Sequence, residues 1–452
     1  MNNVTSLLPP KLNDCSRDQL IQYFNNTWAL SDQLYQCIQT EAAFYMRADP
    51  LRHPLIFYLG HTAAFYINRL RLAGILKNPV NEPYEQFFAA GVDPAAKEEL
   101  NHHKYDWPKL SSVWEYRQRV HDLIDDLLQH SEIHHPIDVH SPWWALLMSL
   151  EHDRIHLETS SVLMRQLPET VLSKPIKWHY APNQGVTIKT ELDSIPMVNV
   201  EETTVELGKR FCDYYGWDNE YGFLQSKVFA FQVSKYLITN ADFLPFVLSG
   251  GYQDQKYWSL NGWQWKMKND VLHPKFWLVG QDNHYRYRAV FNSIEMPYRW
   301  PVEVNWYEAE AYCRWLGDEY RLMTEVEYIA MNQAEKLEPS SFQFYNINLL
   351  YASPTPVGFI AELSDTDELI ADRFGNVWQW IANNFYPLEG FNLHGFYPDF
   401  SKPYFDEEHA MLMGGSWATT GCSAIGDYRL WFRRHFFQHA GFRICRSMPV
   451  KL

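Results

Sequence analysis

The sequence predicts an α+β protein built from two unlike parts. Between about residues 16 and 166, apolar residues recur at intervals of three and four, which is the period of amphipathic helices. Beyond about residue 196, short apolar runs alternate with turn-rich, aromatic stretches, which is typical of short strands and loops. A chain of 452 residues is long enough to form two domains with separate apolar cores.

Four segments of the first part carry the helical period, namely residues 15–38, 53–76, 111–130 and 141–167. Ser or Pro stands near several of their starts, where these residues favour the first helical turn. Four helices of this length predict a four-helix bundle.

A connection is expected over residues 168–196, because this stretch contains four prolines and lacks a helical period. We therefore place one domain at residues 1–180 and the other at 181–452. The second domain contains one clear helical pattern at 304–317 and strand-like runs at 227–239 and 409–417.

The charge and the cysteines exclude several classes of protein. A net charge of -15 does not suit a nucleic-acid partner, since phosphate binding requires a basic surface. No stretch approaches the roughly 20 apolar residues of a membrane span, and the amino terminus does not resemble a signal peptide. The six cysteines are scattered without a CxxC pair, which favours free thiols and a cytoplasmic location.

Three histidines are the strongest candidates for a chemical site. His152 and His156 are four residues apart in a predicted helix, so they lie about 40° apart on one face and can chelate one ion. His61 lies within another apolar helix, which a bundle can bring opposite this pair. Glu158 lies about 240° around the helix from His152, so we expect it to be a supporting or surface residue instead of a ligand.

Three imidazoles on one side of a divalent ion would leave positions open for substrates, which indicates a catalytic metal site. The ligand types alone fit both zinc and ferrous iron. Two other histidine pairs, His102 with His103 and His134 with His135, fall in predicted loops and are weak candidates.

At these residues the chain resembles a known family, the ergothioneine and ovothiol sulfoxide synthases. The HxxxHxE element that starts at His152 and the GHT element at His61 resemble their DinB-like four-helix bundle. The second half resembles their formylglycine-generating-enzyme (sulfatase-modifying factor) domain through FQVSKYLITNADFLPFV, PVEVNWYEAEAYCRWLGDEYRLMTEVEY, FGNVWQW, MGGSW and HAGFRICR, in that order. The stretches RADPLRHPLIFYLGHTAAFYINRL and RRHFFQHAGFR resemble the ovothiol-pathway members most.

The resemblance implies a C-type-lectin-like fold for the second domain and Fe(II) on His61, His152 and His156. It implies an oxidoreductase that uses dioxygen to join the sulfur of L-cysteine to the imidazole carbon of L-histidine, giving 5-histidylcysteine sulfoxide. The alternative is an ergothioneine-type enzyme that uses trimethylhistidine and a cysteine or glutamyl-cysteine donor. A zinc hydrolase and an inactive binding protein are more distant alternatives.

The resemblance also implies roles for residues of the second domain. The family uses a tyrosine that supplies a proton or hydrogen atom and suppresses simple thiol dioxygenation. The resemblance implies this role for Tyr397, with Tyr386 as the second candidate. Substrate binding is assigned to four neighbours in YRLWFRRHFF: Trp431 and Phe432 for the imidazole pocket, and Arg433 and Arg434 for carboxylates. We interpret FGNVWQW, with Trp378, as scaffold.

Two departures from related proteins shape these expectations. Formylglycine-generating enzymes need a pair of active-site cysteines near the GGS element, whereas Cys422 has no obvious partner here, so formylglycine formation is not expected. Many ovothiol synthases continue into a methyltransferase domain, which we do not find in this sequence, and methylation is therefore assigned to a separate protein.

Overall fold

The computed structural model describes residues 4–89, 91, 105–175, 178–183, 194–210, 213–280, 284–332, 336–363 and 369–448. Helices dominate up to residue 164, and short strands, short helices and loops follow, so the α+β expectation is confirmed. Within the described residues, no helix combines the length and apolar content needed to cross a lipid bilayer.

The four predicted long helices are all present. They are α1 (Arg17–Tyr35), α3 (Leu55–Leu72), α5 (Leu110–His130) and α6 (Trp144–Met164). The structure adds two short helices that the sequence analysis missed, α2 (Glu41–Phe44) and α4 (Glu82–Phe87). Helix α3 packs against both α5 and α6, and α1 packs against the same two helices, which gives the bundle its shared core.

Local chemistry explains where these helices begin and how they are fixed. Ser16 and Gln19 form a capping box at the start of α1, which satisfies backbone N–H groups of the first turn. The buried Arg117 of α5 donates to the Leu59 carbonyl at 3.0 Å and to the Thr62 hydroxyl at 2.8 Å, and it pairs with Asp32 of α1 at 2.8 Å. One guanidinium therefore ties three helices together.

The second part contains twelve short strands among the described residues. One three-stranded sheet consists of β1 (Met197–Val200), β4 (Phe231–Ser234) and β12 (Cys445–Ser447), and a two-stranded sheet consists of β2 (Thr203–Leu207) and β3 (Leu224–Val228). A second three-stranded sheet consists of β5 (Trp277–Val279), β6 (Tyr285–Arg288) and β7 (Ser293–Glu295). The four-stranded sheet has the order β10 (Leu430–Arg433), β9 (His409–Met413), β8 (Trp378–Asn384) and β11 (Ala440–Gly441).

Five helices accompany these strands: α7 (Asn240–Leu248), α8 (Leu260–Lys268), α9 (Trp306–Leu316), α10 (Glu325–Met331) and α11 (Phe359–Leu363). The predicted helix at 304–317 is confirmed as α9, which an Asn305 and Glu308 capping box starts. The strand-like run at 227–239 is divided between the end of β3 and β4, and β9 confirms the run that begins at His409. The domain boundary at residues 180 and 181 stays a prediction.

Candidate active site

The structure brings the three predicted histidines together. His61 comes from α3, and His152 and His156 come from α6. One nitrogen of each ring lies within 4.8 Å of the others, and the His152 and His156 Nε2 atoms are 3.2 Å apart. Two imidazole nitrogens that share an ion at about 2.1 Å and a right angle lie about 3 Å apart, so this spacing fits a metal ion.

The described part of the chain contains no other cluster of three or more histidine, cysteine or carboxylate groups that converge in this way. His134 and His135 lie near the surface, where the closest contacts of their rings are with Glu132 and the Leu12 carbonyl. His102 and His103 lie outside the described residues.

A hydrogen bond orients His61 for metal binding. Its Nδ1–H donates to the Phe88 carbonyl at 2.6 Å, which leaves the Nε2 lone pair facing the other two rings. Phe88 follows α4 and comes close because residue 60 is glycine: a Cβ on Gly60 would lie 2.6 Å from the Phe88 ring. The GHT element thus combines a ligand with the small residue that lets its orienting partner approach.

Burial keeps all three imidazoles neutral. It lowers the pKa of His61 to about 4. The pKa values of His152 and His156 fall well below the usual value, again mainly because of burial and further because of the neighbouring rings. Nδ1 of both residues is buried without a hydrogen-bond partner. Neutral imidazoles whose nitrogens converge on one point are suited to bind a cation, and the ligand role of the three histidines stays a prediction.

Aromatic side chains of α3 surround the cluster. Phe65 stacks on His152 with ring centroids 3.6 Å apart and planes 8° apart, and Phe57 stacks on His61 at 5.0 Å. Tyr58 lies 5.5 Å from His156. This apolar wall excludes water from one side of the histidines and fixes the planes of their rings.

Glu158 is buried and lies against the second domain. Its carboxylate accepts hydrogen bonds from Trp378 Nε1 at 2.7 Å, from the Ser416 hydroxyl at 2.5 Å and from the Thr419 hydroxyl at 2.9 Å. It takes no part in the histidine cluster, and the alternative of a surface position is wrong. The residue joins the helix that carries two histidines to strand β8 and to the loop that contains GGSW.

Replacing Glu158 with alanine is expected to destabilise the protein by about 3 kcal/mol or more, because three buried donors lose their acceptor. Glu158→Gln retains one carbonyl acceptor and should cost less. Urea unfolding followed by tryptophan fluorescence measures both values. An unchanged free energy of unfolding in Glu158→Ala would contradict the role of this carboxylate.

A second buried network, which the sequence did not predict, joins α6 to the second domain. The Ser161 hydroxyl lies 2.8 Å from Nε2 of His439, whose Nδ1 lies 3.1 Å from a Glu303 oxygen. Arg165 pairs with Glu303 at 2.7 Å, and the Tyr287 hydroxyl donates to the same carboxylate. Burial alone would raise the pKa of Glu303, but Arg165 and His439 outweigh it and lower the pKa to about 2.

This network makes stability depend on pH. Because the pKa of Glu303 falls from 4.5 to about 2 on folding, its contribution is present above pH 4.5 and is lost as the pH falls toward 2. The full loss is about 3 kcal/mol. Glu303→Gln should flatten the fall in stability between about pH 5 and pH 3, measured by urea unfolding. The exposed Glu202→Gln serves as control, and identical pH slopes in the two variants would contradict the prediction.

Tyr397 lies next to the histidine cluster, in the loop between β8 and β9. Its ring centroid is 5.1 Å from Phe65 and 6.2 Å from His152. Burial raises the pKa of its hydroxyl further above neutral pH, where a phenol is already protonated. The reserve candidate Tyr386 instead donates to Glu325 at 2.5 Å, and its described contacts do not reach the histidines.

Trp431 is close to the cluster only through other aromatic rings. It stacks on Phe385 at 4.5 Å and lies 4.9 Å from Phe400, which in turn lies 5.4 Å from Tyr397. Phe432 follows it on β10 and packs below the Arg52 guanidinium at 5.2 Å. Their role in the imidazole pocket stays a prediction.

Arg433 and Arg434 already have protein partners. Arg433 pairs with Glu408, and Arg434 donates to the Glu407 carbonyl and to the Asn384 side chain. None of these contacts brings either guanidinium to the histidines, so their predicted carboxylate binding has no support from the arrangement seen here. Cys422 is a buried free thiol.

Comparison with known proteins places both parts of the chain in families. Residues 188–448 match the family described as Sulfatase-modifying factor enzyme 1-like domain, and residues 23–160 match the DinB superfamily. Because the first match spans more than half of the sequence, the chain belongs to the Sulfatase-modifying factor enzyme 1-like family.

Several curated proteins are similar in sequence to this chain. The hercynine oxygenase of Mycobacterium tuberculosis is 31% identical over 234 residues, which cover 48% of this chain and 52% of that protein. The hercynine oxygenase of Mycolicibacterium thermoresistibile is 26% identical, with 94% and 93% covered. Ergothioneine biosynthesis protein 1 of Neurospora crassa is 21% identical, with 93% and 57% covered. The resemblance to the sulfoxide synthase family is confirmed, although the matches span only about half the length of two of these relatives.

Proposed function

We propose that the protein is an iron(II)- and dioxygen-dependent sulfoxide synthase, an oxidoreductase that joins the sulfur of a cysteine donor to the imidazole carbon of a histidine-type acceptor. The observation that carries the proposal is the convergence of three neutral imidazoles from two helices beside Tyr397. Zinc fits the same three ligands. The oxygenase names of the relatives support iron.

The reaction balances with dioxygen as the sole oxidant. The thiol and the imidazole carbon each lose one hydrogen, a carbon–sulfur bond forms, one oxygen atom ends on sulfur and the other leaves as water. Iron(II), when bound, supplies a site for the thiolate and for dioxygen activation.

The protein's own residues define where this happens. Phe57 and Phe65 hold the planes of His61 and His152 and keep water from one side of them. The Tyr397 phenol is protonated at neutral pH at its ordinary pKa of about 10, and its position close to the histidines suits it to supply a proton there.

Two acceptors are candidates, each favoured by a different observation. The relatives named hercynine oxygenase, one of which aligns with nearly the whole chain, favour the trimethylated histidine hercynine with a cysteine or glutamyl-cysteine donor. The GHT and RRHFF stretches, which resemble ovothiol-pathway members, favour unmodified L-histidine with L-cysteine. The comparisons support hercynine better than the acceptor expected from the sequence. We also propose a cytoplasmic location, because the five described cysteines are free thiols.

Anaerobic reconstitution with Fe(II), followed by exposure to dioxygen, tests the proposal. Cysteine or γ-glutamylcysteine is combined with histidine or hercynine, and mass spectrometry identifies the products. A coupled sulfoxide is expected with at least one acceptor, and its identity decides between the two candidates. Zinc-loaded protein serves as control. Failure of the iron-loaded protein to couple any of the four pairs would contradict the proposed function.

A further inference from the structure

Two arginines, Arg52 and Arg69, flank the histidine cluster on different sides. Arg52 lies three residues before α3, and Arg69 lies on α3 two turns after His61. Asp49 interacts electrostatically with Arg52, and Asp399 does so with Arg69, but neither carboxylate forms a direct salt bridge with its arginine among the described residues. Because a charged group near an apolar wall is costly unless it is paired, a carboxylate in direct contact would stabilise either guanidinium.

Arg52 lies on the His156 side. Its guanidinium carbon is 5.2 Å from the Phe432 ring centroid and 4.8 Å from that of Phe436, both in the second domain. Burial raises the pKa of the Tyr58 hydroxyl, and Arg52 beside it opposes that shift. Because the Tyr58 ring is 5.5 Å from His156, Arg52 is separated from the cluster by one side chain.

Arg69 lies on the His152 side. Its guanidinium carbon is 4.8 Å from the Phe65 ring centroid and 5.0 Å from that of Tyr397. It donates to the Phe396 carbonyl, while its Nε is buried without a hydrogen-bond partner. The positions of His61, Phe65 and Arg69, each four residues apart, place all three on one face of α3.

Other buried arginines of the chain are better satisfied. Arg165 pairs with Glu303, and Arg429 pairs with Glu325. Arg443 donates to four backbone carbonyls and to a glutamine side chain. Arg52 and Arg69 differ from these by their place beside the histidines, and Nε of Arg69 is in addition buried without an acceptor.

We infer that Arg52 and Arg69 bind the α-carboxylates of the two amino-acid substrates, one on each side of the metal site. This inference rests on the proposed function and names its substrate anchors. A guanidinium offers two parallel donors to a carboxylate, and a substrate carboxylate would give each arginine the direct ion pair that the described residues do not supply. The carboxylate-binding role of Arg433 and Arg434 stays a separate prediction, since both already contact protein groups in the structure.

Anaerobic calorimetry with decarboxylated analogues tests the inference. Cysteine is compared with cysteamine, and histidine or hercynine with its decarboxylated amine, on the Fe(II)-loaded protein. We expect the carboxylate to tighten binding at least about tenfold for each substrate. Arg52→Met and Arg69→Met should each lose this preference for one substrate and retain it for the other, while the lysine variants keep part of it. The exposed Arg314→Met is the matched control.

The outcomes separate this inference from the proposed function. If wild-type protein binds the amines as tightly as the amino acids, the inference is overturned even without the variants. Full preference in both methionine variants would also overturn it. If the preference depends on these arginines but no coupled product forms, the carboxylate sites stand and the proposed function fails.

Discussion

Replacing His156 with alanine is expected to remove most of the bound iron and to slow sulfoxide formation roughly a thousandfold or more. A metal ion is worth several kilocalories per mole to the reaction, and each 1.36 kcal/mol corresponds to a factor of about ten. Two remaining imidazoles, on different helices, hold an ion far less firmly than three. Iron content by mass spectrometry and product formation measure the two effects.

The exposed His130→Ala provides the matched control, because it removes an imidazole from the surface of α5. It should retain iron and activity. If His156→Ala binds as much iron as His130→Ala, the ion does not lie between α3 and α6. The same comparison with His61→Ala tests the ligand from the other helix.

Replacing Tyr397 with phenylalanine is expected to change which product forms. The ring and its contacts with Phe65 remain, and only the protonated hydroxyl is lost. Proton transfer by a positioned group contributes about 10²–10⁴-fold, so the ratio of coupled sulfoxide to cysteine sulfinate should fall by roughly a hundredfold. Mass spectrometry of both products from one reaction gives the ratio.

Tyr386→Phe is the control for this prediction, since it removes a hydroxyl that is committed to Glu325. It should leave the product ratio unchanged. A shifted ratio in Tyr386→Phe together with an unchanged ratio in Tyr397→Phe would assign the proton donor to the reserve candidate.

The long helices of the first domain could be predicted because their apolar residues recur over many turns; α5 buries one face, whereas α6 is buried almost all round. Helices α2 and α4 could not, since four to six residues are too few to show a period. Helix α4 is important for the site because it positions Phe88, which follows it directly and whose carbonyl orients His61.

The histidine cluster was accessible from the sequence because its geometry is mostly local. The four-residue spacing places His152 and His156 side by side on one helix, and His61 in the middle of another apolar helix indicates a ligand from the opposite side of the site. Phe65 and Arg69 repeat the same spacing from His61, and this repeat places them on the helix face that carries the histidine.

The partners of Glu158 could not be predicted in the same way. Its donors Trp378, Ser416 and Thr419 are more than 200 residues away, and only the tertiary fold brings them to α6. Likewise, the sequence does not reveal that Glu408 pairs with Arg433, because two strands of one sheet must first form.

Iron K-edge X-ray absorption of the anaerobically reconstituted protein tests the central claim most directly. The account predicts one iron per chain, with imidazole scattering from three histidines and weaker light-atom ligands that change when cysteine is added. Loss of one imidazole shell in His61→Ala would complete the assignment. An iron without imidazole ligands, or one whose spectrum cysteine does not alter, would contradict an open three-histidine centre.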